Sequence, residues 1–300
     1  MRVNPNYISN LVSSLDASSA TEATLTEELA SGSRVNSLSD DPVAAGENVI
    51  LSAQLASDDS FSQTASSTES MLQVSDSTLS SVVSQLTTAI SLATEANNGT
   101  LNSSDLQSIS GQLAGIRDEV LSLANTTYLG RYIFSGSQGA SAPYTLNTGV
   151  SPAVATYQGD DDVSYLETPN GQKIQLNVPG DQIFSAAGSD VLGILNALVA
   201  DFSSGTASPT ANADTEALSS ALSYVSQQRV VIDNSITRLT SAENYTQSEQ
   251  TQLSSVQTNL LQADVGQIAT QLSTAETQQT ALSQVIATIG KQSLFDDLAS

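Results

Sequence analysis

Apolar residues recur at three- and four-residue steps toward both ends of the chain and lose that rhythm in the middle. Near the N-terminus Ile8, Leu11 and Leu15, then Leu25 and Leu29, keep the spacing of one helix face. Gly32 interrupts it as a helix stop or turn. Asp41-Pro42 reads as the next start, with Asp41 as N-cap and Pro42 at the first helical position. A long helix is predicted from there to about Ala96, with the late stripe Leu72, Leu79, Val82, Leu86, Ala89 and Ala93, and Asn97-Asn98-Gly99 ends it. Asn102 to Asp105 offers caps for a third helix. Its seam, Leu106, Ile109, Leu113, Ile116, Val120 and Leu123, alternates steps of three and four, as helix-on-helix packing requires.

Between about Gly136 and Gly188 the pattern shortens. Val154 to Gln158, Val163 to Thr168 and Lys173 to Val178 are β-branched or alternating runs, and Pro169-Asn170-Gly171 is a hairpin turn signal. Helix returns with the apolar run Val191 to Ala200. From about Asp214 a very long helix is predicted, with Leu218, Leu222, Val225, Arg229, Ile232, Ile236 and Leu239 as its seam. Later come Leu253, Val256, Leu260, Ile268, Leu272, Ala275, Leu282 and Ile289. Arg229 and Glu243 fall on seam positions, where a polar residue either sets register or snorkels outward. The expected fold is mainly α: an elongated antiparallel helical bundle or coiled coil formed by both termini, with a small β-rich domain inserted in the middle. The expected domains are 1–45 with 262–300 as an inner terminal helical part, 46–137 with 189–261 as a middle bundle, and 138–188 as a β-rich outer part.

Composition narrows the chemistry. Histidine, cysteine and tryptophan are absent from the 300 residues. A Ser-His-Asp triad, a disulfide and a zinc-thiolate site are therefore excluded. With 8 basic against 31 acidic residues the net charge is −23, the wrong sign for a nucleic-acid surface. Charged residues are 13% and the hydrophobic class 39%, which leaves a large share of Ser, Thr, Asn and Gln. That mixture suits long thin helices better than an enzyme core. The most apolar stretch, Val191 to Ala200, falls far short of the ~20 residues of a membrane span, so no membrane insertion is expected. The first fifteen residues lack the apolar core of a secretory signal. A protein outside the cell, which the absence of cysteine suits, would leave by a route that cleaves nothing.

Three segments resemble known signatures. Leu29-Ala30-Ser31-Gly32-Ser33-Arg34-Val35-Asn36-Ser37 with Asp40-Asp41-Pro42-Val43-Ala44-Ala45-Gly46 resembles the N-terminal signature of the bacterial flagellin superfamily. Ser104-Asp105-Leu106 resembles the start of its third helix, and Ala263-Asp264-Val265 with the Gln-rich helix after it resembles the C-terminal signature. Pro42, the run Tyr132-Ile133-Phe134-Ser135-Gly136 and the ending Gln292-Ser293-Leu294-Phe295-Asp296-Asp297-Leu298 are similar to the hook–filament junction branch rather than to filament subunits. The resemblance implies a structural, non-enzymatic subunit of the flagellum with no cofactor. It implies export in unfolded form through the flagellar secretion apparatus and an extracellular place at the hook–filament junction. The implied partners are identical copies in a ring, another hook-associated junction protein, flagellin and a cytoplasmic export chaperone.

Under that resemblance the terminal seams are assembly contacts: Ile8, Leu11, Leu15, Leu25, Leu29, Leu272, Leu282, Ile289, Leu294, Phe295 and Leu298. Leu294 and Leu298 are four apart and share a helix face, with Phe295 beside them. Other motifs have plainer readings. Asp160-Asp161-Asp162 lacks the twelve-residue ligand spacing of a calcium loop and reads as an acidic turn. Gly136-Ser137-Gln138-Gly139 lacks the lysine and the strand-to-helix setting of a phosphate loop. Glu167 and Asp181 could form a hydrolase pair only with a pocket around them. The alternatives are a filament flagellin, or a secreted enzyme or binding module on a flagellin-like frame. The missing histidine and cysteine speak against the last.

Overall fold

In a computed structural model the backbone is described for residues 5–298, and side chains for Tyr7 and residues 9–289. The chain divides into two units. One is made by the two ends of the chain, up to Ala56 and from Glu249; the other is Ser57–Ser248.

The end unit holds helix α1 (Pro5–Ser31), the start of α2 (Pro42–Asn97), the end of α6 (Ala211–Leu261) and α7 (Val265–Leu298). α1 stops where the sequence predicts: Gly32 takes a left-handed backbone, φ +68°, which costs glycine nothing. α2 starts on Asp41, whose Oδ1 accepts from the N–H groups of Val43 and Ala44 at 3.2 and 3.0 Å. The long C-terminal helix is not continuous, contrary to its sequence rhythm. It breaks at 262–264 and restarts because Asp264 caps α7, accepting from Gln267 N–H at 3.1 Å. α1 and α7 run antiparallel: Leu25 packs with Ala263 and Ile268, while Ser18 Oγ donates to the Ala275 carbonyl and Gln279 Nε2 to Ser19 Oγ.

The middle unit is mainly helical, with a small β-rich insert. Helix α3 (Ser103–Ala124) is capped by Asn102 Oδ1 accepting from Asp105 N–H at 3.0 Å. Asp190 caps α5 (Val191–Ser203) through Gly193 N–H at 2.9 Å. The seams of α2, α3 and α6 meet with α5 in one core. Leu72, Leu79, Leu86, Leu113, Leu195, Leu198 and Leu218 are fully buried within it. α6 begins at Ala211, a turn earlier than the sequence suggests. Arg229 on its seam sets register with α2: its Nε and Nη2 donate to the two carboxylate oxygens of Asp76 at 2.8 and 3.1 Å.

The insert consists of two-stranded antiparallel pairs. β1 (Thr127–Tyr128) pairs with β2 (Arg131–Tyr132), and β3 (Tyr144–Asn147) with β4 (Val154–Tyr157). β5 (Tyr165–Glu167) pairs with β6 (Lys173–Gln175) across the expected turn, and β7 (Ser185–Ala186) with β8 (Ser189–Asp190). Between them a one-turn helix α4 (Asp181–Phe184) seats Ile183 and Phe184 in the core beside Phe134 and Tyr144. These side chains belong to the same buried cluster as the helices, so the core of the insert is continuous with that of the bundle.

Candidate assembly surface

The end unit is pinned at one place, built from the signature residues. Arg34 N–H donates to the Leu261 carbonyl at 2.7 Å, and Ala263 N–H donates to the Gly32 carbonyl at 3.1 Å. Ser33 and Gln262 form an isolated antiparallel bridge. The interruption between α1 and α2 is thus stitched to the interruption between α6 and α7. The Arg34 guanidinium adds a bond to the Leu260 carbonyl and an ion pair to Asp41 at 2.9 Å. Asp40 closes the loop, accepting from the N–H groups of Asn36 and Ser37 and from the Ser37 hydroxyl. The hydroxyl and N–H of Ser37 hold the Asp40 carboxyl below the usual carboxylate range. The Ala44 N–H and then Arg34 do the same for Asp41. The paired aspartates of the signature therefore divide two tasks, loop closure and helix capping.

Around this stitch the unit leaves large apolar side chains in water. Leu38, Val43 and Ile50 are 70%, 71% and 71% exposed, and Val49, Val256 and Val265 are also exposed. Val43 and Ile50 lie seven residues apart, on one face of α2. Single exposed apolar side chains are ordinary; several of them near one backbone stitch make a candidate interaction surface.

The seam residues are brought together by the α1–α7 pair, to different depths. Leu25 is buried against α7, Leu11, Leu15, Leu272, Leu282 and Ile289 are half-buried, and Leu29 is exposed. The side chains of Ile8, Leu294, Phe295 and Leu298 lie outside the described residues. Leu38, Val43 and Ile50 escaped the sequence reading. They sit inside a signature noticed for its resemblance, and the exposed face shows only once Asp41 is known to set the phase of α2.

In the middle unit the two carboxylates considered as a pair lie on separate elements. Glu167 lies on β5, while Asp181 opens α4; burial is what raises the Asp181 carboxyl, with Asp161 adding to it. Asp160 is occupied by the Ser137 N–H and hydroxyl. Among the described residues no group of three His, Cys, Asp or Glu side chains could hold a metal ion, and no helix is long and apolar enough to cross a membrane.

Residues 3–139 match the family defined as the bacterial flagellin N-terminal helical region. The relatives the chain matches are named flagellar hook-associated protein 3. That of Salmonella typhimurium is 32% identical over 169 residues, 56% of this chain and 51% of the relative. That of Escherichia coli is 33% identical over 171 residues, 55% and 51% of the two chains. The chain spans about half the length of the curated relatives it matches. In fold it resembles a flagellar hook-associated protein of Vibrio parahaemolyticus, with a TM-score of 0.66 at 22% identity over 74% of this chain and 100% of the other.

Proposed function

We propose that the chain is a structural subunit of the bacterial flagellum, placed outside the cell as the adaptor between the hook-side junction and the flagellin filament. The observation that carries this reading is the α1–α7 pair. Among the described residues, this pair and the break before α7 bury Leu25, Ala263, Ile268 and Ala275 but leave Leu11, Leu15, Leu272 and Leu282 half-buried. Isolated helices of this kind are marginal without further partners. Identical copies in a ring supply that cover, joined on one side to another hook-associated junction protein and on the other to flagellin.

In this reading residues 1–45 and 262–300 form the inner assembly part, 46–137 with 189–261 the middle bundle, and 138–188 the solvent-facing part. Leu294, Phe295 and Leu298 act as an assembly anchor at the C-terminal end. The subunit travels unfolded through the flagellar secretion apparatus, with its C-terminal region held by a cytoplasmic chaperone beforehand. The names of the hook-associated relatives support the flagellar role.

Deleting the gene tests this directly. Hooks should remain while flagellin is released into the medium, and a labelled copy restored to the cell should mark the hook–filament boundary. Label along the whole filament would make the chain a filament subunit instead. Normal filaments in the deletion strain would overturn the reading. Replacing Leu294, Phe295 and Leu298 together by Ser should block incorporation while secretion continues. Full-length filaments from that variant would remove the anchor.

A further inference from the structure

Within the Ser57–Ser248 unit a groove of about 310 Å³ opens between α2 and the β1–β2 hairpin. Met71, Ile133 and Leu176 give it an apolar wall. Its size is that of a site for a small ligand. The polar groups left unbonded along it say which ligand.

Thr68 on α2 is the first. The residue is only 8% exposed, yet among the described residues its hydroxyl has no hydrogen-bond partner. Thr64 and Thr78 on the same helix return theirs to the carbonyl four residues earlier. A nearly buried hydroxyl left without a partner costs stability unless something else meets it.

Arg131 is the second. It is the cross-strand partner of Tyr128, which puts guanidinium and phenol on one face of the hairpin. The guanidinium lies over Gly139, so close that a Cβ there would come within 2.8 Å of Nε. The bare glycine is what lets it settle onto the backbone. Among the described residues Arg34, Arg117 and Arg229 each have an aspartate, and Arg238 donates to the Lys173 carbonyl. Arg131 has neither, and the hydroxyls of Tyr128 and Tyr132 are unbonded as well.

The chain carries 31 acidic residues, yet none of the described residues lining this groove is acidic. Asp160 comes up behind Gly136, where the N–H and hydroxyl of Ser137 take it. The lining therefore offers one positive charge and several hydroxyls. A planar, singly charged carboxylate fits the guanidinium fork through two parallel bonds. The hydroxyls beside it suit a ligand rich in oxygen, and the tyrosine rings and Met71 give its C–H groups an apolar face. Leu129 stands on the rim, 82% exposed and left-handed at φ 48°, costs that cover by a ligand would offset.

We propose that this groove binds a small carboxylate-bearing saccharide, a uronate, with its carboxylate on Arg131 and its hydroxyls on Thr68 and the two tyrosines. The site is separate from the terminal helices and stands whether or not the flagellar reading holds.

Calorimetric titration of the full-length protein with galacturonate and glucuronate tests this. At least one should bind with a dissociation constant of ~1 mM or lower. Glucose, acetate and inorganic phosphate should each bind at least ~tenfold more weakly, because glucose lacks the carboxylate, acetate the hydroxyls and phosphate the planar anion. R131Q should weaken uronate binding at least ~tenfold, and R131K should bind as weakly, since an ammonium cannot form the fork. Arg131 is exposed, so both variants should melt with wild type. T68V should weaken binding at least ~threefold and yet melt at or above the wild-type temperature, because it removes a hydroxyl that the fold leaves unbonded. A lower melting temperature for T68V would show the hydroxyl serving the fold and overturn its place in the site. No uronate binding up to ~10 mM, equal binding of any of the three controls, or wild-type affinity in any of the three variants would each overturn the proposal.

Discussion

Arg229 on α6 grips both carboxylate oxygens of Asp76 on α2, through Nε at 2.8 Å and Nη2 at 3.1 Å. The pair sits at the margin of the core, each side chain about a quarter exposed. It occupies a seam position that leucine could fill, and what it adds is register: slide either helix by a turn and the fork no longer meets its carboxylate. R229A should lower stability in urea by about 1–2 kcal/mol. R229K should not recover it, because an ammonium cannot make the parallel bonds. Full recovery by lysine would mean that charge alone matters at this position.

Leu113 is fully buried in the shared core of α2, α3, α5 and α6. L113A should cost about 2–5 kcal/mol, read as a fall in the urea midpoint with unchanged slope. A midpoint equal to wild type would place the side chain outside any core.

Glu243 on α6 is pushed above the usual carboxylate range, first by burial and then by Glu69 on α2. Thr240, one turn before Glu243, donates to Glu69 Oε1, which fixes the two carboxyls side by side. A folded state that holds this proton more tightly than the unfolded chain is favoured at low pH. That contribution is complete below the unfolded value of about 4.3 and is lost as pH rises through the raised folded value. E243Q keeps a neutral group at every pH. The stability difference between E243Q and wild type should therefore grow in favour of the variant as pH rises from 4 toward neutrality, then level off. A difference that is constant with pH would show that folding does not raise the Glu243 carboxyl.

The end unit and the middle unit differ in how much they bury, and amide exchange should separate them. α3 presents Leu106, Ile109, Leu113 and Val120 to the core, whereas α1 buries Leu25. In the monomer amides of 5–31 and 265–298 should exchange much faster than those of 103–124. Equal protection in a proven monomer would mean that the terminal helices need no further cover.

Substituting Leu38, Val43 and Ile50 together by Ser should change unfolding by no more than about 0.5 kcal/mol, since surface positions rarely matter more. Co-sedimentation with assembled structures should fall. Loss of stability without loss of assembly would mark these residues as part of the fold.

Helices and caps were legible because their chemistry is local. Asp41, Asn102 and Gly32 each act within four residues of themselves, so the sequence shows both donor and acceptor. The seams of residues 72–123 and 218–239 were legible because period and burial coincide. What escaped was tertiary. α4 is a single turn kept by Phe184 packing on Phe134 and Tyr144, contacts made across tens of residues. The break at 262–264 was missed although the apolar step widens there from Leu260 to Ile268 and Asp264 offers a cap; what holds it open are the bonds of Arg34 to Leu261 and Ala263 to Gly32, made more than two hundred residues away. The β1–β2 hairpin was missed because its turn is Leu-Gly, where turn chemistry favours Asn-Gly.

The stitch between residues 32–34 and 260–263 also has a mechanical meaning. α1 and α7 leave it in the same direction, one reaching toward the start of the chain and the other toward its end. A pull on either helix arrives at the same backbone bonds, Arg34 to Leu261 and Ala263 to Gly32, which join the two strands sideways. Tension is thus shared between two lengths of the same polypeptide instead of peeling one from the other, and a subunit held by both tails bears force as a doubled cord.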